Sequence, residues 1–193
     1  HAHPALEKVV ARMRATGSMV PAEGGKRGDW AKGLGLKDAS REKVDVLYHV
    51  GCLTSFDKDM QRLATATAKV LTASGVDFGI AGEAETCCGG RAYEMGHKDD
   101  FLAQAAKSME VIKKSGAKTL VTSCATCFQA YSVLYDRFGL NDDLRVVHTS
   151  QLLAELVASG KLEFHKAQDL SVTYHDPCHL GRLGEPWIHW QGT

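Results

Sequence analysis

Five of the six cysteines fall into one pattern: Cys52, then after 34 residues the adjacent pair Cys87-Cys88, then after 35 more Cys124 and Cys127. Neighbouring side chains diverge, so two adjacent cysteines chelate a single mononuclear metal poorly, yet they can serve different irons of one cluster. A C-x2-C pair on a tight turn aims both sulfurs at one centre. Five thiolates exceed what a tetrahedral zinc accepts. The number and grouping point to a polynuclear iron–sulfur site with Cys52, Cys87, Cys88, Cys124 and Cys127 as ligands. The alternative is a structural zinc module built on Cys124, Cys127 and two other cysteines.

The residues around the cysteines fit such a site. Cys124 and Cys127 fall at a strand-to-helix junction, where backbone N–H groups favour thiolate over thiol. Gly89 and Gly90 follow the pair directly and would let the backbone approach an inorganic core with no side chain in the way; a plain turn explains them too. Three disulfides are the weaker reading, because the chain exceeds the size at which disulfide frameworks are usual and vicinal cysteines bridge badly. A reducing cytoplasm fits better.

Composition sets outer bounds. With 193 residues, 44% hydrophobic and 24% charged, the chain has the make-up of a soluble globular protein with one substantial core. No apolar run approaches the roughly 20 residues that cross a bilayer, and HAHPALEKVVARMR lacks the basic-then-apolar pattern of a secretory signal. The expectation is no direct membrane insertion. Net charge is zero, so the chain has no electrostatic footprint for nucleic acid. Residues 1–43 hold nine Lys or Arg against five Asp or Glu and read as a solvated leader.

The elements that must position the cysteines alternate. Residues 5–15 have helical spacing, and residues 17–38, with six glycines and Pro21, read as an irregular connector anchored by Trp30. Strands are expected at Val44–His49, Val76–Ala81, Thr119–Thr122, Arg145–His148 and Leu170–His175, with helices over 57–73, 92–114, 126–137 and 151–159. That alternation predicts an α/β fold, a doubly wound parallel sheet with helices on both faces. Cys52, Cys87-Cys88, Cys124 and Cys178 each follow a predicted strand. The cysteine loops therefore gather at the carboxyl edge, where open α/β sheets collect ligands.

VDVLYHVGC (44–52) aligns without a gap to LSVTYHDPC (170–178), pairing Cys52 with Cys178. Three parts follow: a leader and connector over 1–43, a first repeat over 44–169, and the start of a truncated second repeat over 170–193. The chain is expected to be a segment of a longer protein. Cys178 would then belong to a second site or be a reactive thiol. His49 and His175 occupy equivalent places, suited to closing a strand end or to proton delivery. His179 is the better candidate proton donor. Arg182 suits an anionic group or a surface salt bridge. His97 reads as solvated, and Met60 and Met109 as core residues.

The strings Gly51-Cys52, Cys87-Cys88-Gly89-Gly90, Ser123-Cys124-Ala125-Thr126-Cys127 and Tyr174-His175-Asp176-Pro177-Cys178-His179-Leu180-Gly181-Arg182 together resemble the cysteine-rich CCG domain of heterodisulfide-reductase-like proteins. The resemblance implies a non-cubane 4Fe-4S cluster on the five cysteines and reductive cleavage, or formation, of a disulfide-type bond. Within the family, RGDWAKGLGLKD and DPCHLGRLGEPWIHW are most similar to the catalytic subunit of the membrane redox complex associated with sulfite reduction. That implies a cytoplasmic subunit, peripheral on the membrane through an integral-membrane quinone-reactive subunit and other redox subunits. Its substrate would be the disulfide or trisulfide of a small sulfur-carrier protein. Similar domains in glycolate, lactate and glycerol-3-phosphate oxidising systems imply the alternative of electron transfer alone.

Overall fold

The computed structural model describes residues 3–141, 143–166 and 168–184. Five strands make one sheet: β1 Lys37–Asp38, β2 Val46–His49, β3 Phe78–Ile80, β4 Thr119–Thr122 and β5 Arg145–His148. Their order is β1-β3-β2-β4-β5 and every pairing is parallel, with Tyr48 opposite Val121 and Leu120 opposite Val146. The expected doubly wound architecture is present.

The period of two along each strand splits the core into two layers. Leu47 and Leu120 point to one face, where they meet Phe101, Ala105, Met109, Tyr131 and Tyr135. Tyr48 and Val121 point to the other, packing with Ala64, Leu71, Leu152 and Leu156. The helices supplying the first layer are α4 (Gly90–Glu94), α5 (Lys98–Ser115) and α6 (Ala125–Gln129), which runs on through a π turn at Ala130–Leu134 into α7 (Tyr135–Arg137). The second layer comes from α3 (Lys58–Ala73) and α8 (Thr149–Ala158). Asp57 caps α3 by accepting from the N–H groups of Asp59 and Met60, and His148 with Gln151 forms a capping box on α8.

The structure corrects four expectations. Leu170–His175 is not a strand: Leu170, Val172 and Tyr174 are exposed, and no sheet edge pairs with them among the described residues. The helix expected over 92–114 is two, because Gly96 adopts φ +86° and breaks the run before α5 starts after His97. His97 is mostly buried, between Glu7 and Asp100. The leader is packed, not solvated. Helix α1 (Pro4–Thr16) buries Val10 and Met13 against Cys87 and Ala92. The connector supplies β1, paired to β3, and Trp30, which meets Tyr48 edge-on at 6.1 Å. Met109 is buried as expected, whereas Met60 is half-buried.

Candidate functional site, a five-cysteine array at the carboxyl edge of the sheet

Each cysteine group follows a strand through a glycine or a short turn. After β2, Gly51 takes φ +86° and ψ 166°, a conformation closed to other residues, and the chain turns into α2 (Cys52–Phe56). A Cβ on Gly51 would stand 3.4 Å from the Cys127 sulfur, so the β2–α2 turn lies directly against the C-x2-C loop. After β3, a 3-10 turn at Gly82–Ala84 leads to the Cys87-Cys88 pair. Gly89, at φ +76°, swings the chain into α4, its N–H donating to the Cys87 sulfur at 3.4 Å. After β4, Cys124 caps α6 and Cys127 sits one turn on, with the Cys124 N–H donating to Thr122 Oγ1 at 3.2 Å.

The five sulfurs are near neighbours: Cys88, Cys124 and Cys127 pack in one cluster and Cys52 and Cys87 in another, and each shifts the protonation of its neighbours. Their protonation differs as a result: Cys88 and Cys124 favour thiolate, and Cys52, Cys87 and Cys127 favour thiol. The hydrogen bond from Cys127 lowers Cys88 to about 6, and Cys124 likewise to about 6. The bonds to Cys124 and Cys88, then burial, push Cys127 well up. The bond to Cys87 and burial do the same to Cys52. At Cys87 the bond to Cys52 favours thiolate, but Cys88 and burial outweigh it and the pKa rises. A thiol at Cys127 thus stands between two thiolate-prone sulfurs.

Polar residues brace the array from behind. Glu85 accepts from Val50 N–H at 2.8 Å, from Gly51 N–H at 3.0 Å and from Arg27 at 3.0 Å. Arg27 also donates to the Gly17 carbonyl at 2.9 Å and to the Cys52 sulfur at 3.6 Å. Burial opposes its charge, but Glu85 and then Cys52 outweigh it, and the guanidinium stays protonated. His49 is buried, which lowers its pKa and keeps it neutral; its Nδ1 meets the Tyr131 hydroxyl at 3.3 Å. Tyr131 in turn meets Ser108 at 2.6 Å, and the Tyr135 hydroxyl donates to the Cys88 carbonyl at 3.1 Å. Sequence reasoning misses Arg27, Glu85, Tyr131 and Tyr135. A lone buried Arg in a glycine-rich connector carries no local signal, although Glu85, two residues before the cysteine pair, stands close to one.

The structure brings the five cysteines to one edge and leaves Cys178 out. Cys178 is exposed at the start of α9 (Cys178–Gly181). His179 is paired with Glu94 of α4 at 2.5 Å, and His175 and Arg182 are exposed. The last residues of the DPCHLGRLGEPWIHW string, 185–190, lie outside the described residues.

The expected 4Fe-4S, non-cubane cluster requires correction. Among the described residues no group of three or more His, Cys, Asp or Glu stands where it could hold a metal ion. The zinc alternative meets the same obstacle.

A five-stranded parallel α/β fold with cysteines gathered beyond its strand ends defines a cysteine-rich redox domain. The CCG cysteine-rich domain family matches residues 46–130. The dihydromethanophenazine:CoB–CoM heterodisulfide reductase of Methanosarcina mazei contains a polypeptide 42% identical over 146 residues, covering 73% of this chain and 35% of that polypeptide. The EtfAB:quinone oxidoreductase of Syntrophomonas wolfei is 33% identical over 141 residues, 73% of this chain and 20% of that protein. A probable membrane-anchored ferredoxin of Chromohalobacter salexigens is 33% identical over 180 residues, 91% of this chain and 27% of that protein. No solved structure matches the chain. The chain carries a CCG domain homologous to that of heterodisulfide-reductase-like iron–sulfur subunits, and it spans about a third or less of these relatives' length. The likeness shown is to this family broadly. No helix among the described residues is long and apolar enough to cross a membrane.

Proposed function

We propose that this chain is the sulfur-handling part of a heterodisulfide-reductase-like oxidoreductase that breaks or makes a disulfide or trisulfide bond. The observation that carries the reading is the gathering of five cysteines beyond the carboxyl ends of β2, β3 and β4. The 42% identity to part of a heterodisulfide reductase supports it. In the reductive direction, R–S–S–R′ takes up two electrons and two protons and leaves as two thiols. Partner redox subunits supply the electrons, through an integral-membrane quinone-reactive subunit, and the chain works on the cytoplasmic face. A sulfur-carrier protein is the proposed substrate, supported by the RGDWAKGLGLKD and DPCHLGRLGEPWIHW strings.

The test supplies the intact protein and its partners with a low-potential donor and an unsymmetrical disulfide, and counts the thiols released. Wild type should release two thiols per disulfide. Cys88→Ser and Cys127→Ser should release none while keeping the native circular dichroism, because Ser nearly matches Cys in size at these two core positions. No thiol release from wild type rejects the reading. Passage of electrons to quinone without thiol release would establish the second reading, electron transfer alone, which the similarity to a quinone oxidoreductase and a membrane-anchored ferredoxin favours.

A further inference from the structure

The connector, expected to be a solvated leader, delivers a charge to the sulfur site. Arg27 and Glu85 are both buried, with side chains 6% and 5% exposed. The guanidinium lies over the Phe56 ring at 5.4 Å, and its two terminal nitrogens divide their work. One meets Glu85; the other meets the Gly17 carbonyl and the Cys52 sulfur. Glu85 is itself fastened to the end of β2 by the N–H groups of Val50 and Gly51, the two residues before Cys52. The geometry therefore fixes the cation relative to the sulfur through a rigid strand end. Orienting a guanidinium in this way needs no titration, because its charge is permanent.

We infer that Arg27 stabilises negative charge on sulfur at the Cys52 end of the array, and that Glu85 is the residue positioning it. The role in turnover rests on the function proposed above. When two electrons enter a sulfur–sulfur bond, both sulfurs separate as thiolates before protons arrive from solvent, and the electrons come from the partner redox subunits. A fixed cation in a buried site stabilises such charge far more than water-exposed Lys or Arg would, since nothing has to reorganise. The site should accordingly prefer anionic sulfur compounds and anionic reagents beside Cys52.

The assignment is tested on the full chain, reduced and kept under argon, with anionic iodoacetate and neutral iodoacetamide. The alkylation rate at Cys52 is read by peptide mass spectrometry and normalised to exposed Cys178. Both reagents attack the same thiolate, so their rate ratio cancels the thiolate fraction and reports local charge alone. The double variant Arg27→Met/Glu85→Gln leaves no orphan buried charge and should fold. Its iodoacetate-to-iodoacetamide ratio at Cys52 should fall about tenfold, whereas Arg27→Lys should keep most of the wild-type ratio. Glu85→Gln alone keeps an amide oxygen to accept from Val50, Gly51 and Arg27 while removing the opposing charge, so it should hold or raise the ratio and serves if the double variant does not fold; Glu85→Ala, which frees the guanidinium, should lower it. An unchanged ratio in both the double variant and Glu85→Ala, or a drop in Glu85→Gln, overturns the inference. In the intact complex the double variant should lose about a hundredfold in kcat with KM little changed. Absence of turnover in wild type would reject the proposed function, while the labelling ratio would still decide the role of Arg27.

Discussion

Gly51 and Cys127 lie in contact across the carboxyl edge of the sheet: a Cβ on Gly51 would stand 3.4 Å from the Cys127 sulfur and 3.9 Å from the Cys124 Cβ. This contact joins the turn after β2 to the loop after β4, and it exists because β2 and β4 are neighbours in register. The main demand on Gly51 is conformational, since φ +86° with ψ 166° is reserved for glycine.

Gly51→Ala should therefore lower stability by about 1–3 kcal/mol. Urea unfolding followed by circular dichroism measures this. Alkylation of Cys127 should also speed up in the folded variant as the turn withdraws. A variant with wild-type stability and wild-type protection of Cys127 would contradict the contact.

The Tyr135 hydroxyl holds the Cys88 carbonyl at 3.1 Å from within the core. Tyr135→Phe keeps the ring packing on Tyr131 and Phe101 and removes only that bond. The expected cost is about 1 kcal/mol. Amide exchange around Cys87-Cys88 should rise by more than that at β4, which a global loss of stability would not produce.

Phe101 is fully buried, with Tyr93, Tyr135 and Phe138 rings around it, and its side chain and carbonyl back the Gly89 turn. Phe101→Ala should cost about 3–5 kcal/mol, read as a lower thermal midpoint. Phe101→Leu should recover a large part of it.

Helix α1 is tied to α5 by Arg14 and Asp100, with Arg14 Nη2 donating to Asp100 Oδ2 at 2.7 Å. This bond holds the Asp100 carboxyl below its usual 3.8. A depressed carboxyl contributes its stability in full above the unfolded value and loses it as pH falls through the folded one. Amide protection of α1 should thus be constant above pH about 5 and drop below pH about 4. Asp100→Asn should abolish that pH dependence and leave α1 less protected throughout.

Cys178 is exposed, whereas Cys87, Cys88 and Cys127 are buried and Cys52 and Cys124 are partly covered. A bulky maleimide, added to the reduced folded chain, should modify Cys178 first and Cys88 and Cys127 last. The order is read by mass spectrometry of the digested protein. Modification of Cys127 before Cys178 would place the C-x2-C loop at the open surface.

Much of this was legible in the residues. The β-branched and apolar runs at 46–49, 119–122 and 145–148 are strands because alternate residues, such as Leu47 against Tyr48 and Leu120 against Val121, feed two different layers of core. Cysteine groups placed just after such runs must collect at one sheet edge once the sheet is parallel. The same local pattern at 170–175 misleads, because a strand needs a neighbouring edge to satisfy its backbone, and none pairs with it among the described residues. Conversely Lys37-Asp38 has no strand pattern and is a strand, because Gly79 and Ile80 offer it an open edge.

Residue type and spacing alone determined the α/β class, the five cysteines that gather and the glycines that turn the chain beside them. These are local properties: strand period, turn conformation and the position of a thiol relative to a strand end. Tertiary structure alone decided which sulfurs pack together and which charge reaches them. Arg27 sits 25 residues from Cys52 and Glu85 sits 58 from Arg27, so no window of sequence contains the trio. Their meeting depends on β3 lying beside β2 and on the connector folding back over both. A buried ion pair of this kind is a product of long-range packing, which no local pattern encodes.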